Sequence, residues 1–344
     1  MRSKRFWAVL LTGLCAASIV AGLEGWALLP SLVLAVLCVW LASELAVEGF
    51  EGVCLGLGLS MYVAGVASSF ASNMPEAVLA GLMALSPHLR EVAAVMVVLA
   101  AAFNSVLLGL MVIFVSWDRG YVAVPSAALT VEAEAMRMGA VMSVLYALVG
   151  LLAESTGSGV PTTLPREAAV FPLVAYAVYA LLLQRKESIE KRDVRMGMAF
   201  LDALIGVMGI FVSSEVISRA AEAWVTGAGL NPVLAATILA FTASVPEHAV
   251  AVVGARRGKL EMGLSNLISG IVQSILFVFP LVALISLVVL DGFVIYQLMA
   301  SAAILWLVEK AITDDERLTL DEGVFIVLTS VLGILLLDEL SFMI

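Results

Sequence analysis

Two Pro-Glu pairs, Pro75-Glu76 and Pro246-Glu247, close long uncharged runs: Gly52–Pro75 spans 24 residues, and Ala223–Pro246 matches it in length. An ionised carboxylate deep in apolar sequence is costly and marks a functional position where a positive charge offsets it. The proline before each glutamate has no N–H, so the carbonyl four residues earlier, Ala71 in one pair and Thr242 in the other, loses its helical donor. Ser72 and Asn73 precede Glu76 by four and three residues, and Ser244 precedes Glu247 by three, which puts these polar side chains on the carboxylate's face of a helix. Carboxylate, carbonyl, hydroxyl and amide oxygens together suit a hard cation such as calcium or sodium. Glu76 and Glu247 are therefore the expected metal ligands. A kink with a snorkelling carboxylate would account for one such pair, but it does not account for two at equivalent places.

That equivalence is a repeat. Ala42–Glu76 lies over Ser213–Glu247 without a gap at a constant offset of 171 (247 less 76), so Glu44 meets Glu215, Glu51 meets Glu222 and Gly58-Leu59 meets Gly229-Leu230. Spanning segments are expected near 6–23, 26–47, 52–84, 91–117, 136–154, 167–184, 197–219, 231–255, 262–290, 293–312 and 322–341, eleven in all. With the basic N-terminus inside, fifteen of the 18 Lys and Arg fall on inner segments and only Arg90, Arg166 and Arg219 on outer ones. The long helix before Glu76 then runs inside to outside and the one before Glu247 outside to inside. This is an inverted-topology repeat, the plan of secondary transporters that bind substrate near midplane between the halves.

The expected fold is thus an all-α polytopic membrane protein of two inverted five-helix halves plus one extra N-terminal hydrophobic helix. Residues 1–25 form that helix or a signal, 26–184 the first half, 185–196 a charged linker and 197–344 the second half. Composition agrees: 344 residues that are 62% hydrophobic and 13% charged, with mean hydropathy +1.09, cannot cover a water-soluble globule with polar surface. The runs are too long for barrel strands and lack their alternation. The bilayer and inorganic cations are the expected partners. Nothing supports nucleic acid, a resident cofactor or an oligomer; the positive-inside pattern places the 185–195 linker in the cytoplasm, and the cell membrane is the expected location.

Other features read as structural. Cys15, Cys38 and Cys54 have no metal-knuckle or disulfide spacing and pass as small apolar side chains. His248 points about 100° away from Glu247 around a helix, and His88 falls in a loop. Glu44, Glu215 and Asp202 suit interhelical contacts, and the acidic run 313–322 lacks the glycine and spacing of a calcium loop. The motifs of intramembrane or zinc enzymes are missing, so the chain is not expected to be an enzyme.

The two motifs resemble the alpha repeats of the sodium/calcium exchanger (cation/calcium antiporter) superfamily. Its repeats carry G-T-S-x-P-E and, about 27 residues on, a polar residue in a G-N-x-x-G-S-x-x-x-N/D stretch. The resemblance implies that Glu76 and Glu247 ligate the transported ion, that Asn104 and Ser274 are the downstream polar positions, and that nearby hydroxyls and carbonyls complete the site. Family Thr-Ser becomes Ser72-Asn73 in the first copy and Ala243-Ser244 in the second, and Ser274 is neutral where a third carboxylate can stand. The implied function is secondary active exchange of calcium, or another divalent cation, for sodium or protons. Alternatives are a proton-coupled antiporter of a different cation and a transport-inactive membrane scaffold of exchanger descent. With only two carboxylates the site's charge is about −2, so one divalent ion exchanges for two monovalent ones, and protons compete for the same oxygens because desolvation and mutual repulsion oppose ionisation.

Overall fold

The structure is a computed structural model and describes residues 2–22, 28–59, 61–118, 120–124, 126–155, 162–183, 195–256 and 260–340. Almost everything described is helical: α1 (Arg2–Val20), α2 (Leu28–Gly56), α3 (Met61–Ser72), α4 (Met74–Leu85), α5 (Arg90–Ser116), α6 (Ser126–Ser155), α7 (Arg166–Leu183), α8 (Met196–Thr226), α9 (Pro232–Arg256), α10 (Leu260–Gln273), a π-helical turn (Ser274–Val278), α11 (Phe279–Ile285), α12 (Gly292–Asp314), α13 (Leu320–Leu335) and α14 (Leu337–Leu340). Seven of these stretches, α1, α2, α5, α6, α8, α10–α11 and α12, are long and apolar enough to cross a bilayer. The other four expected spans fall on α3–α4, α7, α9 and α13. Most of the linker expected at 185–196 lies outside the described residues.

The expected segment 52–84 is corrected in two ways. The preceding helix runs on to Gly56, and the segment itself is split at Asn73 into α3 and α4. A glycine turn ends α2: Gly58 has φ 78°, and its equivalent Gly229, after α8, has φ 66°. Left-handed backbone at both glycines explains why the Gly-Leu pair recurs. Element bounds repeat as well, since Met61–Leu85 carries over to Pro232–Arg256 at the same offset of 171.

The chain divides into two compact units that do not follow its halves: 1–89 with 177–231, and 90–176 with 232–344. In the first, α2 packs on its own repeat equivalent α8. A Cβ on Gly49 would meet the Ala203 nitrogen at 2.2 Å, one on Gly206 the Ala46 nitrogen at 2.4 Å, and one on Gly209 the Ala42 Cβ at 2.7 Å. As one residue number rises the other falls, so the helices are antiparallel. Cys38 Sγ lies 3.9 Å from the Gly209 carbonyl oxygen, and these residues are themselves equivalents, which puts the local two-fold relation between the copies at this crossing. Onto the pair packs the α3–α4 break, with Ala71, Met74 and Val78 against Ala42, Ala46 and Ile210.

In the second unit α5 is a largely buried central helix, meeting α13 closely enough that Gly109 faces the Gly323 carbonyl. Two short extended contacts tie its connections together. Strand β1 (Tyr121–Ala123) pairs antiparallel with β2 (Arg317–Thr319), and Thr163 bridges Val289 with Leu164 N donating to Val288 O at 2.8 Å. The α5–α6 and α12–α13 connections meet in the first contact, the α6–α7 and α11–α12 connections in the second. Under the repeat each contact is the counterpart of the other, and each joins connections that the charge pattern assigns to one side. Single cysteines at Asp118 and Asp315, in a background lacking the native three, should label from one face of sealed membranes, and those at Thr163 and Leu287 from the other. A mixed pattern would refute the topology.

Candidate functional site

Glu76 sits in the first turn of α4, 2% exposed, immediately after the break. Pro75 has no N–H to donate and is best accommodated in a helix's first turn, which is where the chain restarts a helix. Asn73, at φ −88° and ψ 0°, makes the turn. The restart puts the carboxylate at a helix N-terminus, where the peptide dipoles favour negative charge. Around it the proton donors are turned inward. Ser72 Oγ donates to Ser69 O at 2.9 Å and Asn73 Nδ2 donates to the same carbonyl at 3.1 Å, as does the Asn73 backbone N–H at 3.3 Å. Ser72 Oγ also accepts from Asn73 Nδ2 at 3.5 Å, which leaves it one lone pair that a cation can use. Ala71 is fully buried on this turn.

The second copy is built differently. α9 runs through Pro246 without a break, so the two equivalent Pro-Glu pairs differ: one restarts a helix and the other lies within a continuous one. Glu247 lies on this helix, but its side chain, like that of His248, is outside the described ones. Thr242 Oγ1 donates to Ile238 O at 2.7 Å. Ser244, three residues before Glu247, is 1% exposed and crosses to α5: its Oγ donates to Asn104 Oδ1 at 2.5 Å, with the Ala100 carbonyl at 3.5 Å. The T-shaped contact of Phe103 with Phe241, centroids 5.8 Å apart, packs beside this bridge. Asn104 is fully buried. Ser274 is 1% exposed and opens the π-helical turn, its hydroxyl donating to Gly270 O at 2.9 Å.

Within the second unit, then, Asn104 and Ser244 are in direct contact, and Ser274 stands on a turn packed against α5. In the first unit Ala71, Ser72, Asn73 and Glu76 share one break. Two features were not anticipated: the Ser69 carbonyl that gathers three donors, and the π turn. The latter had a sequence mark in Pro280, which has no N–H for the Leu276 carbonyl, so the helix widens just before it and the Phe279 N–H reaches back to Ser274 O. Glu44 is engaged by Lys4 and Glu215 by Arg219, while Thr319 and Glu322 in the acidic run form a capping box on α13.

The profile of the sodium/calcium exchanger protein family matches residues 27–184 and 198–342. The fold is similar to the crystal structure of the H+/Ca2+ exchanger CAX, with TM-score 0.73 and 17% identity over 98% of this chain and 94% of that one. It is also similar to the sodium-calcium exchanger NCX_Mj soaked with 2.5 mM Na+ and 0.1 mM Ca2+, with TM-score 0.62 and 16% identity over 88% of this chain and 96% of that one. No curated protein sequence matches the chain.

Proposed function

The chain belongs to the sodium/calcium exchanger family, and from that membership we propose that it exchanges calcium, or a divalent cation of similar size, for a monovalent ion across the cell membrane by alternating access. The observation that carries the reading is Glu76: a carboxylate 2% exposed, placed by a helix break at a helix N-terminus among oxygens whose protons are directed elsewhere. Buried negative charge of this kind is stable when a cation offsets it. Glu247 is the second carboxylate ligand in this reading, while Asn73, Ser72, Asn104, Ser244 and Ser274 supply neutral oxygens and Ala71 and Thr242 supply carbonyls.

Protons are the proposed counter-ion in preference to sodium. A third cation would leave net positive charge at a site with two carboxylates, and Ala243 removes one hydroxyl that a sodium ion could use. The likeness to an H+/Ca2+ exchanger and to a sodium-calcium exchanger is compatible with either ion. The 185–195 segment faces the cytoplasm in this reading.

The test is isotopic calcium uptake into proteoliposomes, driven in turn by a pH gradient and by a sodium gradient with the membrane potential clamped. Uptake driven by the pH gradient and nearly independent of voltage is expected. A steep voltage dependence, at about one net charge per cycle, would refute two-carboxylate coupling, and no uptake of any divalent cation under either gradient would refute exchange altogether.

A further inference from the structure

We propose that α1 is the counter-charge of the α2/α8 pair: its first turn supplies, from outside the repeat, positive charge that the second copy carries in its own helix. On α8, Arg219 Nε donates to Glu215 Oε1 at 2.7 Å, a pair four residues apart on one helix. Carried back by 171, these positions are Glu44 and Glu48 on α2. The first copy therefore presents two like charges one turn apart where the second presents an ion pair, an arrangement unfavourable by itself. Lys4 of α1 resolves it, with Nζ 2.6 Å from Glu44 Oε1 and 2.8 Å from Glu48 Oε1.

The converse holds at the adjacent residue. Asp202 of α8, with its side chain 4% exposed, is equivalent to Ser31 of α2, so here it is the second copy that carries an uncompensated charge. Arg5 meets Asp202 through a two-pronged contact, Nε to Oδ1 and Nη2 to Oδ2, the latter at 2.7 Å. Adjacent residues on a helix point about 100° apart, which is why Lys4 can serve α2 while Arg5 serves α8. Both contacts lie at the end of the pair where α2 finishes and α8 begins. Behind them Thr12 of α1 meets Cys38 Sγ at 3.5 Å at the crossing point, so the helix is seated along its length. Three departures from internal symmetry, Glu48 for Arg219, Asp202 for Ser31, and a helix with no counterpart among the described helices of the second half, are thus one feature. The inference is independent of which ions the chain exchanges.

The test transplants each copy's residue onto the other, in the full chain purified in detergent, with the melting temperature as readout. Lys4→Met with Arg5→Met should lower it by about 5–10 °C, because Asp202 is left buried without its partner. Adding Glu48→Arg and Asp202→Ser to that variant should bring the melting temperature back to within about 2 °C of the starting protein. The sign then reverses. In a chain carrying Glu48→Arg and Asp202→Ser alone, Lys4 and Arg5 face a new cation and an uncharged serine, so Lys4→Met with Arg5→Met should raise the melting temperature. If the two methionines are neutral in the native background, or lower the melting temperature equally in both backgrounds, α1 acts by packing alone and the proposal fails.

Discussion

Glu76→Gln should lower calcium-driven flux by about 10²–10³-fold while leaving the protein folded and monodisperse, and Glu247→Gln should do the same. Removing one partner from a buried ion pair costs about 3–5 kcal/mol, and in the proposed site the missing partner is a carboxylate that offsets the bound divalent cation. Glutamine keeps the shape and one oxygen but loses the charge. The free protein should tolerate the change well, because a neutral amide at a position 2% exposed is cheaper to bury than an ionised carboxylate. The two effects therefore have opposite signs, so stability of the free protein should hold or rise while thermal stabilisation by added calcium disappears. Flux within about threefold of the native protein in either variant, a change under 1 kcal/mol, would remove that residue from the site.

Gly206→Ile should abolish accumulation of folded protein, and Gly206→Ala and Gly49→Ala should each destabilise it by at least about 1–3 kcal/mol. The Cβ of residue 206 would come within 2.4 Å of the Ala46 nitrogen and 2.7 Å of the Ala42 carbonyl oxygen, and that of residue 49 within 2.9 Å of three atoms of Ala203 and Ala199. Every one of these neighbours is backbone, so relief requires moving α2 and α8 apart rather than turning a side chain. Close helix approach through small residues is also the main source of packing energy where lipid replaces water. Gly13→Ala and Gly197→Ala are the controls. Neither added Cβ has a neighbour within 4 Å, and alanine is the better helix former by about 1 kcal/mol, so both should leave the melting temperature unchanged or raise it. Equal losses at all four glycines would contradict the packing account.

The repeat, its inversion and the Pro-Glu pairs were legible because each leaves a local mark. A membrane-length apolar run needs no partner to be recognised, and a glycine that must take left-handed backbone, as at Gly58 and Gly229, recurs in both copies. Likewise, proline's missing N–H acts within one turn, so the sequence shows that the Ala71 carbonyl loses its helical donor at Pro75, but not that segment 52–84 divides there into α3 and α4. The same rule did not separate the two prolines. Pro75 begins a new helix after Asn73, whereas Pro246 lies inside a continuous α9 whose Ser244 is held across to Asn104 on α5. Which outcome prevails depends on what the neighbouring helix offers, and local sequence does not contain that neighbour.

Sequence alone determined that the chain is two inverted copies of one helical unit and that a carboxylate ends the long apolar run in each. It also placed hydroxyl and amide oxygens one turn from those carboxylates. Only the tertiary structure decided that α2 pairs with its own equivalent α8 through glycines, that the compact units cut across the two halves, and that Lys4 and Arg5 serve acids on two different helices. The physical reason is range. Hydropathy, backbone conformation and proline chemistry are set within a few residues, whereas an ion pair between Arg5 and Asp202 joins residues that meet only after α1, α2 and α8 have packed.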